Sequence, residues 1–195
     1  MTDKAIAEFV TELKAAAGAG AGEGAANQAP AAVMARVAPL LARMAADTAW
    51  VRPEYYECDE NQGFGITVLH EEPDHTFLVE AICWLPGRGV APHDHQTWGM
   101  VVGIDGVEVN VDWRRSDDGT KPGFADIENA LETAVDNGVI VRFEPDDIHS
   151  VRNDSDKPSL SLHVYGRTPS MLARSEFDPI NKVQRPCPQR QRKTA

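Results

Sequence analysis

At 195 residues the chain is long enough for one domain with a full core and too short for two large ones. Its 42% hydrophobic and 25% charged content is ordinary for a soluble globular protein. A net charge of -11 argues against nucleic acid and anionic membrane as partners, though a site within can be locally positive.

The start, Met1-Thr2-Asp3-Lys4-Ala5, has no basic region followed by an apolar run, so no signal peptide is expected. No stretch approaches the roughly 20 apolar residues of a membrane helix. A cytoplasmic location is the expectation. The three cysteines, Cys58, Cys83 and Cys187, are odd in number and widely spaced, which argues against a disulfide framework or a zinc–cysteine site. Cys83 lies in an apolar stretch and reads as a core residue.

Residues 1–50 read as a helical cap. Ile6, Phe9, Val10 and Leu13 recur at helical spacing, with Thr2 or Asp3 as a candidate cap. The Gly- and Ala-rich stretch Gly18 to Asn27 reads as a flexible break. A second amphipathic helix is expected from about Pro30 to Asp47, with Val33, Val37, Leu40, Leu41 and Met44 on one face. From Tyr55 short apolar or alternating runs take over, separated by Gly, Pro and Asp. Strands are expected at Gly65 to His70, Thr76 to Leu85, Trp98 to Trp113, Gly138 to Phe143, Ile148 to Val151 and Ser159 to Tyr165. Such repeated short strands predict a β-sandwich or barrel spanning 51–183. Ala125 to Asp136 reads as a short helical insertion. Residues 184–195, with Arg185, Arg190, Arg192, Lys193 and two prolines, read as a flexible tail.

Two histidines at i and i+2 on a strand share a face, so His93 and His95 can reach one ion while Asp94 turns away. His149 follows the turn Pro145-Asp146-Asp147-Ile148, which can return the chain beside them. Neutral imidazole suits iron, zinc, copper and nickel. His70 and His75 flank an acidic turn, Glu71-Glu72-Pro73-Asp74, and read as surface residues.

The context of these histidines carries a resemblance. Gly87, five residues, His93-x-His95, three residues, Gly99, six residues and Gly106 form one motif. Gly138, Pro145-x-Asp147-x-His149, three residues and Asn153 form a second. The pair resembles the two motifs of the cupin superfamily, in which a metal-binding Glu usually stands where Gly99 is. The resemblance implies a mainly β fold: a jelly-roll-like cupin barrel with the N-terminal α-helices packed outside.

Ser161-Leu162-His163-Val164-Tyr165 alternates, so Ser161, His163 and Tyr165 share one strand face and can form a hydrogen-bond relay. With three His and no Glu, this resembles the cysteine dioxygenase family of thiol dioxygenases and its Ser-His-Tyr triad. The resemblance implies Fe(II) on His93, His95 and His149, catalytic roles for Tyr165, His163 and Ser161, and a small thiol and dioxygen as partners, with a sulfinic acid as product. Animal-type members hold the substrate carboxylate with an early-strand Arg and crosslink a Cys to the Tyr. Gly65-Ile66-Thr67-Val68-Leu69 has no Arg, and Thr97-Trp98-Gly99-Met100 has no Cys.

The bacterial 3-mercaptopropionate dioxygenases, which the chain resembles in particular, place the Arg beyond the Tyr. Arg174, nine residues after Tyr165, is the matching candidate, with Arg167 a weaker one. Those enzymes often carry a Gln on the early strand where Ile66 and Thr67 stand here. The substrate expectation is therefore a 3-mercaptopropionate-like thiol carboxylate or cysteine, with mercaptosuccinate or a bulkier aromatic thiol still open. A three-His cupin cleaving a carbon–carbon bond, and a non-enzymatic ligand-binding cupin, are the competing readings. The sequence does not indicate an oligomeric state.

Overall fold

The computed structural model describes residues 4–18 and 29–195. The expected cap at Thr2 or Asp3, and the Gly- and Ala-rich break beyond Gly18, lie outside the described residues. Helix α1 (Lys4–Ala17) buries Ile6, Phe9, Val10 and Leu13, the four positions expected from their spacing. Helix α2 (Pro30–Ala46) starts with Pro30 in its first turn, where the missing N–H costs nothing. It buries Val33, Met34, Val37, Leu41 and Met44, while Leu40 is only half-buried.

Twelve strands follow among the described residues, in two six-stranded sheets. In the first sheet β12 (Lys193–Thr194), β1 (Phe64–Glu71), β2 (Leu78–Trp84), β9 (Ser159–Tyr165), β4 (Gly99–Asp105) and β7 (Ile140–Phe143) lie side by side. The second runs β11 (Val183–Pro186), β10 (Ser175–Asp178), β3 (Gly89–His93), β8 (Ile148–Arg152), β5 (Glu108–Arg115), β6 (Ile127–Val135). All pairings are antiparallel except β1 with β12. The expected run from Trp98 to Trp113 is two strands, β4 and β5, turning at Gly106, whose φ of 67° is left-handed.

Every residue of β2 and β9 is buried. Period-2 geometry explains this. Val79, Ala81 and Cys83 of β2, with Leu160, Leu162 and Val164 of β9, face outward into one core shared with α1 and α2. Their neighbours Glu80, Ile82, Ser161, His163 and Tyr165 face the other way, into the barrel. The helices thus cover the outer face of the first sheet. That lets its inner face carry polar chemistry at no cost to the main core. No helix among the described residues is long and apolar enough to cross a membrane.

Two segments differ from expectation. The stretch from Ala125 to Asp136 is not helical. It forms β6, paired with β5 from Glu108 opposite Val135 to Arg115 opposite Ile127. As an outer strand it is mostly exposed, so apolar periodicity could not mark it, and cross-strand pairing overrides the helix propensity of its Glu, Ala and Leu. Residues 184–195 are not a frayed tail. Strand β11 pairs with β10, and β12 lies along β1, where the Ala195 N–H donates to the Val68 carbonyl at 3.0 Å. The segment's cations find acids on this acidic chain. Arg190 meets Glu176 at 2.9 Å, Arg192 meets Glu71 and Glu80 at 3.5 Å, and Lys193 meets Glu57 at 2.6 Å.

Candidate metal centre

His93 ends β3 and sits opposite His149 of β8 in the strand register. His95 lies two residues past the end of β3, just before Gln96, whose φ of 54° turns the chain. The three imidazoles converge, with one nitrogen from each within 4.8 Å of the others. They are 8%, 3% and 2% exposed. Asp94 points away, as expected, and is buried rather than on the surface. Its carboxylate accepts the Ser175 N–H at 3.0 Å and ties the histidine loop to β10.

Partners on the far side of two rings aim the lone pairs. His149 Nδ1 is 2.7 Å from Asn110 Oδ1, and His93 Nδ1 is 2.9 Å from the Ala91 carbonyl. Both oxygens only accept, so each ring donates from Nδ1 and turns a bare Nε2 inward. Asn110 of β5 carried no signal of its own in the sequence. Burial makes protonation costly and pushes His93 down to about 4, with the Arg174 and Arg190 charges adding to the effect. Burial first, then the neighbouring imidazoles, holds His95 and His149 well below their usual range. The cluster is therefore neutral at physiological pH.

A neutral cluster of this kind fits a metal ion. His95 Nε2 and His149 Nε2 are 2.8 Å apart and can share at most one hydrogen, and His95 Nδ1 is buried with no hydrogen-bond partner. Converging lone pairs in a buried site are unfavourable without a Lewis acid to accept them.

The missing acid has a steric reason. A Cβ on Gly99 would lie 2.8 Å from the Phe143 ring and 3.0 Å from the Tyr165 ring. Gly99 pairs with both residues across the sheet, and Phe143 stacks on His95 at 5.3 Å between centroids. Aromatic rings fill the space a fourth protein ligand would need. Gly99→Glu should therefore add no ligand. It should destabilise the fold by roughly 1–3 kcal/mol through overpacking, read by chemical denaturation, with no gain in metal affinity by titration.

Beside the imidazoles runs a continuous chain of hydrogen bonds. Ser161 Oγ is 2.9 Å from His163 Nε2, and His163 Nδ1 is 2.9 Å from the Tyr165 hydroxyl. All three are buried. Desolvation pushes His163 down to about 3, so it stays neutral, and pushes the Tyr165 phenol well up. Period-2 alternation in β9 places the three on one face, as expected.

His93, His95, His149, His163, Tyr165 and Arg174 line one cavity. The Arg174 guanidinium makes no hydrogen bond or ion pair with any described residue, and its charge helps hold the imidazoles neutral. Arg167 is exposed and does not line the cavity. The opposite wall is apolar, formed by Phe64, Ile66, Ile82, Trp84, Val90 and Val151. Cys187, Gln189, Arg190 and Arg192 close one side, a contribution of the C-terminal segment that its basic composition did not suggest. His70 and His75 are half-buried and pair with Glu72 at 2.7 Å and Glu71 at 2.8 Å, away from the cavity. All three cysteines are free thiols.

Two sheets, antiparallel but for β1 with β12, around a buried three-imidazole cluster form the double-sheet barrel of a cupin. The chain belongs to the family described as cysteine dioxygenase type I, which matches residues 22–178. Similar solved structures include an oxalate oxidase in complex with glycolate, at 13% identity and a TM-score of 0.45, covering 57% of this chain and 54% of that one. The chain thus spans about half the length of that relative. Another is a Thermus thermophilus protein, at 17% identity and a TM-score of 0.43, covering 58% of this chain and 91% of that one. A third is an uncharacterized conserved Klebsiella pneumoniae protein with a double-stranded β-helix domain, at 15% identity and a TM-score of 0.43, covering 73% of this chain and 100% of that one.

Proposed function

We propose that the chain is an Fe(II)-dependent thiol dioxygenase that converts a small thiol carboxylate to its sulfinic acid. The observation that carries this reading is one cavity holding three neutral, convergent imidazoles, the Ser161–His163–Tyr165 relay and the unpaired Arg174 guanidinium. Membership of the cysteine dioxygenase type I family supports it.

His93, His95 and His149 would hold the iron. Bound there, Fe(II) would supply Lewis-acid and redox chemistry toward a thiol and dioxygen and would favour the thiolate. Arg174 receives the substrate carboxylate. Its planar fork matches two carboxylate oxygens, and no resident acid has to be displaced. Tyr165, held by His163, places a hydroxyl at the cavity wall. Phe64, Ile66 and Trp84 exclude water from the reacting sulfur.

The wall also bears on the substrate. A cysteine ammonium needs an acceptor, and Glu80, the cavity's buried carboxyl, already meets Arg192 at 3.5 Å. A thiol carboxylate without an amino group is the better fit, and 3-mercaptopropionate is the simplest.

Turnover under oxygen-18 gas tests the reaction. Both oxygens of the sulfinate should carry the label. A product with one labelled oxygen, or a disulfide alone, would count against a dioxygenase. Tyr165→Phe should keep its iron content and lose roughly a hundredfold in kcat. An unchanged kcat would remove Tyr165 from the chemistry.

A further inference from the structure

The hydrogen-bond chain runs one residue beyond Ser161. The Ser161 hydroxyl donates to Glu108 Oε2 at 2.9 Å. Glu108 opens β5 in the opposite sheet, opposite Val135 of β6, and is 2% exposed. Ser159 Oγ and Trp84 Nε1 are buried beside it, close enough to favour its charged form but outside hydrogen-bonding geometry. A carboxyl in such a place is costly to bury and has no part in the core. Glu108, Ser161, His163 and Tyr165 thus form one unbroken line from the far interior to the cavity.

Each member of the line constrains the next. A carboxylate only accepts, so an ionised Glu108 takes the Ser161 hydrogen. Ser161 then accepts from His163 Nε2–H. The neutral ring is left with a bare Nδ1, which takes the Tyr165 hydrogen. Tyr165 offers the cavity only lone pairs. A protonated Glu108 can donate instead, and once it does every bond reverses. It donates to Ser161, Ser161 donates to His163 Nε2, and His163 Nδ1–H donates to the Tyr165 oxygen. The Tyr165 hydrogen is then free to point into the cavity.

We propose that Glu108 is a positioning residue for Tyr165, setting through Ser161 and His163 whether that phenol faces the substrate as donor or acceptor. The inference rests on the reading of Ser161, His163 and Tyr165 as the relay of the proposed dioxygenase. Burial pushes Glu108 up to about 8, partly offset by Ser161, Ser159 and Trp84, so both states lie within reach near neutral pH. The titratable groups that sense its charge are Cys83 from β2 and Tyr165 from β9. No charged side chain among the described residues hydrogen-bonds it.

The test is the tautomer of His163 in metal-free protein labelled with nitrogen-15 in its imidazoles. Long-range proton–nitrogen correlations show which ring nitrogen carries the hydrogen. In the native chain the hydrogen should sit on Nδ1 well below pH 8 and move to Nε2 well above it. In Glu108→Gln it should no longer move with pH. The iron-loaded Glu108→Gln enzyme should lose the matching inflection in its kcat–pH profile and keep its KM. Should Glu108→Gln fail to fold, Ser161→Ala cuts the same line and predicts the same frozen tautomer. One tautomer at every pH in the native chain, or an undiminished pH response in both variants, would overturn the inference. The relay reading itself falls on a different result, an unchanged kcat in Tyr165→Phe.

Discussion

His149→Ala should lose iron binding by more than about a hundredfold and abolish turnover. Removing a partner that merely orients a ligand typically costs 10- to 100-fold in metal affinity, so removing a ligand costs more. His149 is also firmly directed. It faces His93 across the β3–β8 pairing, and Asn110 holds its ring from behind. The measurements are iron content after anaerobic loading and oxygen uptake with thiol. Near-ultraviolet circular dichroism shows whether the barrel is intact. A folded His149→Ala protein that keeps full iron content would remove His149 from the metal site.

Arg174→Ala should raise KM for carboxylate-bearing thiols by roughly 10- to 100-fold. A charge-assisted hydrogen bond contributes about 1.5–3 kcal/mol, and each 1.4 kcal/mol is about tenfold in affinity. Cysteamine, which has no carboxylate, serves as the internal control, and its KM should barely change. Equal increases for both substrates would mean that Arg174 shapes the cavity rather than reading the carboxylate. Arg190 and Arg192 line the same cavity but already meet Glu176, Glu71 and Glu80. Arg174 alone of the three has no resident acid partner among the described residues. That makes it the first candidate.

The parts of the fold legible in the sequence are those with strong periodicity. The spacing of Ile6, Phe9, Val10 and Leu13 foretold the buried stripe of α1, and the alternation from Ser159 to Tyr165 foretold β9. Strand β6 was not legible, because an exposed outer strand needs no apolar alternation and its pairing with β5 is decided in three dimensions. The last twelve residues were misread for a related reason. Their arginines and lysine look like a solvated tail because three of the acids they meet, Glu57, Glu71 and Glu80, lie far upstream, and the fourth, Glu176, is brought beside them only by the β10–β11 pairing.

At the site, the pair His93 and His95 and the relay are legible from i, i+2 spacing, whereas His149 lies 54 residues beyond His95 and stands out only through the turn before it. Asn110 and Glu108 are not legible in this way. Their roles depend on β5 lying beside β8 and facing β9, which no local pattern encodes. The absence of an acidic ligand at Gly99 was visible at once. Its reason, the rings of Phe143 and Tyr165 in that space, was not.

The most direct test of thiol dioxygenation is oxygen consumption by anaerobically Fe(II)-loaded protein given 3-mercaptopropionate, cysteine, cysteamine and mercaptosuccinate in turn. A thiol dioxygenase of this kind should show uptake that tracks thiol loss, with sulfinate as product and the highest kcat/KM for a thiol carboxylate without an amino group. Silence from fully iron-loaded protein with all four thiols would contradict thiol dioxygenation.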